Sequence, residues 1–530
     1  MDEHRRTLRR VGAAIAAAIP AAFAALFFAY PLTAILERGL TGNGSLSFPA
    51  SVLFSRETLG ILWFTTWQAT ASTVLTLACG LPLAWVLGRF TFRGRALVRA
   101  LVLVPFVLPT VVVATAFLAL LPDDLERGLP AILAAHVFFN VAVVARIVGG
   151  AWERLGRAPW EVAATLGAEP WRRFRDVSLP LLTPALAASA ALTFLFCFTS
   201  FGVVLVLGGP GRSTLETEIY AQAARAFDLR AAAALSVLQL VAVALVLGAV
   251  SRLEARAGAA GTLVAEEDSL RRPAGRERAA VATVLVVAGA ALALPIALLV
   301  TRSLDAGTSA WRGLIRETPA LLVPPWHTVV NSVAFAAAAA ALAVAVGGLA
   351  AVTLARIRAG ALDALVLLPL GASAVMLGFG FLIAFDEAPL DFRSSWWLVP
   401  VAQSLVAAPF VVRIVAPALR SIDPRLHDAA AVLGATPGRA WREIDLPLAS
   451  RAAGVAAGFA FAIALGEFGA TVFVARAEWP TLPVAIFRFL GRPGAENQSM
   501  AAALAVCLAA LTAVSAVALE RGIPGRRGAL

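Results

Sequence analysis

The sequence contains no lysine and has few residues suited to acid–base or metal chemistry. All 44 of its Lys+Arg residues are arginine, and it has four histidines and three cysteines. Without lysine, the chain has neither the phosphate-binding lysine of a Walker A loop nor an amine for a Schiff base. Work that consumes ATP therefore requires a nucleotide site on another subunit.

The cysteines and histidines form no pattern typical of a metal or redox site. Cys79, Cys197 and Cys507 lie in apolar stretches without a CxxC pair. The histidines are scattered and form no HExxH pattern. We therefore expect no metal site, no cofactor and no catalytic residue in this chain, which is predicted not to be an enzyme.

Charge is scarce and apolar residues dominate. Only 15% of residues are charged, 60% are hydrophobic, and the mean hydropathy is +0.83. Soluble domains are about 25% charged and about 45–50% apolar. The composition indicates a polytopic membrane protein embedded in a lipid bilayer. In such a protein the net charge of +11 mainly reflects the orientation of the chain in the membrane, and we expect no nucleic-acid partner.

Twelve stretches are long and apolar enough to cross a bilayer as helices, which needs about 20 residues each. The predicted fold is therefore all-α. The predicted spans are 11–36, 61–88, 98–121, 130–149, 185–207, 231–250, 279–301, 329–354, 362–385, 396–418, 452–475 and 498–519.

The arginines predict the orientation of these spans. With a cytoplasmic N-terminus, the inside loops and tails hold 31 arginines and the outside loops hold 13. Arginine and lysine favour the cytoplasmic side. Both termini are therefore expected in the cytoplasm, in a multi-pass protein of the cell membrane.

The sequence contains an internal duplication. The halves align at one constant offset, called here the repeat offset, at which Arg146 meets Arg413, Gly167 meets Gly434, and Phe201 meets Phe468. Six spans per half is an even number, so the repeats are predicted to be parallel. The predicted segments are an N-terminal helix and outer loop (1–60), a first transmembrane domain (61–250), a cytoplasmic linker (251–278), an extra helix and outer loop (279–326), a second transmembrane domain (327–519) and a tail (520–530).

One motif recurs in the longest inside loops, 150–184 and 419–451. The first copy begins Glu161-Val-Ala163-Ala164-Thr-Leu-Gly167, and the second begins Asp428-Ala429-Ala430-Ala-Val-Leu-Gly434. A glycine after a run of helix formers is typical of a left-handed helix cap. A Leu-Pro pair follows each glycine at the same distance and is expected to end a second helical turn. The motif thus predicts an exposed helix–glycine–helix elbow, suited to a groove on another protein.

Both copies resemble the EAA motif of permease subunits in binding-protein-dependent ATP-binding-cassette importers of type I. The second half also contains Gly466-Glu467-Phe468-Gly469, similar to a string in several branches of that family. The fused, duplicated arrangement most resembles the ferric-iron and thiamine permeases. The resemblance implies five core spans per half, preceded by one extra helix.

The resemblance also implies partners and roles. Two copies of a separate ATPase would bind ATP and receive the two short helices, with Glu161 and Asp428 each paired to a basic residue. A solute-binding protein would deliver ferric iron or thiamine from outside. The second copy departs from the motif because Asp428 replaces the usual glutamate, which is expected to weaken its contact.

Residues within the membrane are candidates for the solute pathway or its gate. Glu467 is the clearest because a charge at the bilayer centre costs about 2.5–3.5 kcal/mol. Ser200 lies at the matching position in the first half, and Phe201 and Phe468 follow the two positions. A structural or gating role for Glu467 is favoured over solute contact.

Two alternatives remain. A single elbow could rest on lipid headgroups, although two copies in one register favour docking. A twelve-helix secondary carrier of the major-facilitator type also has two parallel halves, but such carriers do not need duplicated long loops between the fourth and fifth spans.

Overall fold

A computed structural model describes residues 17–42, 45–46, 49–156, 158–209, 211–258, 270–356, 366, 368–370, 372–386 and 390–522. Within these residues the chain is almost entirely helical. The exception is a short antiparallel ladder that joins β1 (Thr41–Gly42) to β2 (Ser45–Leu46). The predicted all-α class is confirmed. The start of the first predicted span, at residues 11–16, lies outside the described residues.

The described part of the first half contains ten principal helices. They are α1 (Ala17–Leu40), α2 (Arg56–Arg89), α3 (Arg95–Val107), α4 (Thr110–Leu120), α5 (Leu129–Arg154), α6 (Ala158–Thr165), α7 (Pro170–Phe198), α8 (Gly202–Leu207), α9 (Leu215–Ala221) and α10 (Leu229–Gly258). At 1.5 Å per residue, α2 is about 51 Å long and exceeds the hydrocarbon thickness of a bilayer. Its N-terminus is capped by the Ser55 hydroxyl, which accepts a hydrogen bond from the Thr58 amide.

The second half repeats this order, except that the stretch equivalent to α3 lies partly outside the described residues. Its helices are α11 (Arg276–Arg302), α12 (Trp326–Arg356), α13 (Ala374–Ala384), α14 (Leu398–Arg420), α15 (Pro424–Val432), α16 (Pro437–Gly466), α17 (Thr471–Val474), α18 (Leu482–Leu490) and α19 (Ala495–Gly522). Short helical turns also occur at Ala50–Leu53, Ser309–Gly313 and Leu368–Leu370.

The described residues contain ten helices long and apolar enough to span a membrane. An eleventh span is formed if the bent pair α3 and α4 crosses as one unit. The predicted ninth span, 362–385, lies partly outside the described residues, and its described helix is α13, which is only 11 residues long. About twelve spans were predicted, and the described residues contain ten or eleven.

The third predicted span, 98–121, is not one helix. α3 and α4 meet at a bend of 99°. Leu108 between them has extended backbone angles, and Pro109 has no amide hydrogen with which to continue the helix. The apolar pattern alone does not reveal this break, because apolar residues continue across it from one arm into the other.

The Leu-Pro pairs do not end the second turn of the elbow as the sequence led us to expect. α7 runs through Leu179-Pro180, and α16 runs through Leu446-Pro447. A π-helical turn precedes each pair, at Phe174–Ser178 and Trp441–Asp445. The wider turn places the proline at a point where its missing amide breaks no regular ladder, so each elbow is continuous with a spanning helix.

The chain divides into two compact units. The first-repeat unit comprises Ala50–Glu218 and Leu238–Asp305. Within it α2, α5 and α7 pack together, and α11 packs against α4. The unit thus combines the core of the first half with the extra helix that opens the second half.

The second-repeat unit comprises Met1–Pro49, Ile219–Val237 and Ala306–Leu530. Within it α12, α14 and α16 pack together, and α1 packs against α13. Its extra helix therefore comes from the start of the chain. The sequence boundaries of the two transmembrane domains stay a prediction.

Packing within each unit recurs at the repeat offset. A Cβ atom added at Gly80 would lie 2.7 Å from the Val144 Cβ atom. One added at Gly347 would lie 3.0 Å from the Val411 Cβ atom. The two pairs occupy equivalent positions in the two halves. Both hold two spanning helices in close contact, as small residues do between membrane helices.

A hydrogen bond recurs in the same register. The Leu215 amide donates to the Thr65 hydroxyl at 3.1 Å. The Leu482 amide donates to the Ser332 hydroxyl at 2.7 Å. The register differs in one place. α4 and α13 are both 11 residues long, but α13 begins slightly before the position that corresponds to the start of α4. The duplication thus extends to individual contacts.

Candidate functional site

The first elbow, Ala158–Ser178, is organised by a glycine in a left-handed conformation. Gly167 has φ +78°. Its amide donates to the Ala164 carbonyl at 3.0 Å, and the Ala168 amide donates to the Ala163 carbonyl at 3.0 Å. These two bonds form a Schellman cap, which closes α6 and fixes the direction in which the chain leaves it.

The second elbow, Pro424–Asp445, has the same cap. Gly434 has φ +75°. Its amide donates to the Ala431 carbonyl at 3.0 Å, and the Ala435 amide donates to the Ala430 carbonyl at 2.9 Å. Thr436 then begins α16, and its hydroxyl accepts from the Arg439 amide. The predicted helix–glycine–helix geometry is therefore present in both copies.

Each elbow presents apolar side chains to its surroundings. Leu166 is 81% exposed and Leu433 is 86% exposed. These residues occupy equivalent positions, directly before the two glycines. Val432 is 88% exposed beside Leu433. Two matched apolar tips on short helices are features of a surface that another protein covers.

The sequence-predicted docking residues lie on these helices. Glu161, Ala164, Asp428 and Ala429 are exposed, whereas Ala163 and Ala430 are half-buried. Their small side chains leave the helix surface accessible to a close partner, and the two half-buried alanines supply cap carbonyls. The structure groups Glu161, Ala163, Ala164 and Gly167 on one elbow and Asp428, Ala429, Ala430 and Gly434 on the other.

A side-chain hydrogen bond ties each short helix to the start of its spanning helix. In the first elbow the Trp160 indole N–H donates to the Ser178 hydroxyl. In the second, the His427 Nε2–H donates to an Asp445 carboxylate oxygen at 3.0 Å. Trp160 meets His427 and Ser178 meets Asp445 at the repeat offset. We call each of these bonds an elbow clasp.

The carboxylate of Glu467 serves as a helix cap. Its Oε1 accepts from the Ala470 amide at 2.7 Å, and its Oε2 accepts from the amide of Thr471 at 3.0 Å and from the hydroxyl of the same residue. The side chain is buried. Its acceptors thus bond the N-terminal amides around α17, where negative charge is favoured.

Ser200, at the matching position in the first half, has different partners. Its hydroxyl lies 2.9 Å from His136 Nε2, and His136 Nδ1 lies 3.0 Å from the Ser72 hydroxyl. All three side chains are buried. These hydrogen bonds link separate segments of the first half and so stabilise its packing. Ser200 thus joins segments of the first half, whereas Glu467 caps a helix in the second half.

The aromatic candidates occupy two separate settings. Phe468 is buried, with its ring centroid 5.5 Å from that of Phe487. Phe487 lies 6.2 Å from Tyr220, which lies 5.5 Å from Phe473. These rings form an aromatic cluster in the second-repeat unit. Phe201 is buried in the first-repeat unit.

Several of these residues were not singled out from the sequence. The apolar tips are leucines in both halves, so a position-by-position comparison of the halves would have found them. The elbow clasps share their positions but no residue type, so that comparison would not have found them. Tyr220 and Phe487 also occupy equivalent positions at the repeat offset, but that correspondence does not by itself bring the two rings into contact, so the aromatic cluster was not predictable from it.

Comparison with known proteins gives a consistent result. A family model described as "binding-protein-dependent transport system inner membrane component" matches residues 80–257 and 343–522. A thiamine transport system permease protein of Brucella abortus is 31% identical over 520 residues, which cover 94% of this chain and 93% of the relative. The corresponding Escherichia coli protein is 28% identical over 84% of this chain and 86% of the relative.

The capping geometry predicts how Glu467 variants behave. Glu467→Ala removes all three acceptor contacts and is expected to lower stability by about 1–3 kcal/mol, seen as a lower melting temperature in detergent. Glu467→Gln keeps one acceptor oxygen and should melt between that variant and the wild type. A Gln variant that melts like the wild type but transports nothing would instead place the carboxylate in the pathway.

The elbow clasps predict local, copy-specific loosening. Asp445→Ala should speed tryptic cleavage at Arg425 and Arg439 in membrane-embedded protein, because the second elbow loses its tie to α16. Ser178→Ala should speed cleavage at Arg172 and Arg173 only. Each variant is the control for the other, and equal loosening of both elbows by either one would contradict the assignment.

Proposed function

Because the chain belongs to the family of binding-protein-dependent transport system inner membrane components, we propose that it is the permease of a thiamine importer. The match covers both halves, and the chain is a multi-pass inner-membrane protein. One chain would supply both halves of the transmembrane pathway. Separate subunits would supply the binding protein and the ATPase.

The observation that carries this proposal is the pair of matched elbows. In each elbow an exposed leucine, Leu166 or Leu433, follows a short helix that also carries an exposed acidic residue, Glu161 or Asp428. A short helix with an apolar tip and an exposed charge suits a groove that has an apolar floor and a basic rim. Two elbows imply two ATPase copies. These copies would bind the ATP, because this chain has no lysine and therefore no Walker A site.

Force would pass from the elbow into the membrane through continuous helix. α7 and α16 run without a break from the elbow into a span. The cap and the clasp fix each short helix to that span. A displacement of the elbow by the closing ATPase pair is therefore transmitted to the spanning helices, as rigid elements transmit other switching motions.

The orientation follows from the arginine distribution. With 31 arginines inside and 13 outside, both termini and both elbows face the cytoplasm, where an ATPase has access to them. The solute-binding protein then docks on the opposite face. Thiamine is preferred over ferric iron as the solute because the relatives named above, matched over most of the chain, are thiamine permeases.

Reversal of the charge on one elbow is expected to release the ATPase. Asp428→Arg places a cation where the proposed basic rim lies, so co-purification of the cognate ATPase should fall at least ten-fold while membrane insertion is unchanged. Glu161→Arg should act in the same way on the first elbow. Glu443→Gln, on an exposed turn of the second elbow outside α15, is the matched control. Undiminished ATPase recovery with Asp428→Arg would contradict the docking role.

Transport itself tests the solute. Proteoliposomes with the chain, its ATPase and its binding protein should accumulate labelled thiamine only when ATP is supplied on the elbow side. Ferric iron should not be accumulated. Accumulation of thiamine without any ATPase would indicate a secondary carrier, and ATP-dependent uptake of iron in place of thiamine would overturn the proposed solute.

A further inference from the structure

A pocket of about 420 Å³ lies beside the first elbow in the first-repeat unit. Small-molecule sites commonly have volumes of about 300–1,000 Å³. The walls are formed by the ends of α2 and α5, by the first elbow, by Arg271 of the linker and by Glu277 in the first turn of α11. Glu161, Ala164 and Pro170 on its elbow side are exposed, so the pocket opens there to solvent.

Three of the twelve tryptophans of the chain line this pocket. They are Trp85, Trp152 and Trp160. Trp152 is 6% exposed and Trp160 is half-buried, so their rings are held in place by packing. Large rigid aromatic faces favour a planar, aromatic occupant.

Guanidinium groups line the same pocket. Arg89 lies over the Trp160 ring, with its Cζ atom 3.5 Å from the ring centroid. Arg173 lies 5.2 Å from that centroid, and its Nε atom is buried with no hydrogen-bond partner among the residues that the structure describes. A buried, unsatisfied guanidinium N–H is costly and is most readily satisfied by an anionic acceptor.

The linker completes the pocket. Arg271 pairs with Phe90 at the end of α2, where the Thr91 amide donates to the Arg271 carbonyl at 2.9 Å and the Arg271 amide donates to the Arg89 carbonyl at 3.1 Å. The Arg271 side chain donates to Glu277 at 2.7 Å. The wall from the linker exists because the two halves share one chain.

The second half has other residues at these positions. At the repeat offset, Trp85 and Trp152 correspond to Val352 and Leu419. Trp160 corresponds to His427, and Arg173 to Ala440. Arg89 corresponds to Arg356 and so recurs with the contacts that hold the repeats together, but the three tryptophans and Arg173 have no counterpart in the second copy. General requirements of the fold therefore do not account for them.

We propose that this pocket binds a phosphorylated aromatic heterocycle, with the ring against the tryptophans and the phosphate at Arg173. The inference rests on the proposed function, which places the pocket on the cytoplasmic side. There such a ligand has two sources, a phosphorylated form of the imported vitamin or a nucleotide. Because Trp160 and Ser178 both line the pocket, an occupant contacts the clasp of the first elbow.

Calorimetric titration of the purified full-length chain, without ATPase, tests the site separately from transport. The probes are thiamine diphosphate, ADP, thiamine and inorganic pyrophosphate. At least one phosphorylated heterocycle should bind, and thiamine and pyrophosphate should each bind at least ten-fold more weakly than it does. The tighter of thiamine diphosphate and ADP identifies the source.

Variants locate the binding. Arg173→Gln should weaken binding about ten-fold or more, whereas the neighbouring exposed Arg172→Gln should leave it unchanged. Val177→Trp, which fills the pocket from its wall, should abolish binding and serves if the Arg173 variant does not fold. The proposal would be overturned if neither heterocycle binds, or if pyrophosphate binds as tightly as the heterocycles. It would also be overturned if only vesicles of anionic lipid displace the bound heterocycle, or if Arg173→Gln binds it with wild-type affinity.

Discussion

The rest of the structure depends on how each short elbow helix is joined to a spanning helix. A left-handed glycine, Gly167 or Gly434, reverses the chain with two backbone hydrogen bonds. The next helix begins shortly after it and enters the membrane without a break. Only glycine adopts this conformation without strain. The backbone therefore sets the angle of the elbow, and the exposed side chains remain available to contact another protein.

The elbow clasps show how far the two copies have diverged while the same geometry is kept. An indole donates to a hydroxyl in the first copy, and an imidazole donates to a carboxylate in the second. The position of the bond is retained although no residue in it is. The mechanical constraint is thus common to both elbows, whereas the residues at the clasp differ, and so the two proposed ATPase contacts need not be equivalent.

Sequence reasoning predicted the elbows because their signals are local. Helix formers, a glycine and a fixed spacing determine a cap within a short stretch, as at Glu161–Gly167. It missed the bend between α3 and α4 and the continuity of α7 through Pro180, since a proline breaks, bends or continues a helix according to the turn that precedes it. It singled out Glu467 as a buried carboxylate, but only the structure reveals the amides that the carboxylate caps.

Fusion of the two halves into one chain allows the surroundings of the two elbows to differ. Two identical subunits would present identical elbows, and any pocket at one would occur at the other. A single chain has one linker, which reaches Phe90 through Arg271 and has no second copy to offer. The linker therefore adds a wall to the pocket beside the first elbow, while the packing of both units stays matched, as the Gly80 and Gly347 contacts show. Covalent duplication would thus permit the proposed ligand to act on one half alone.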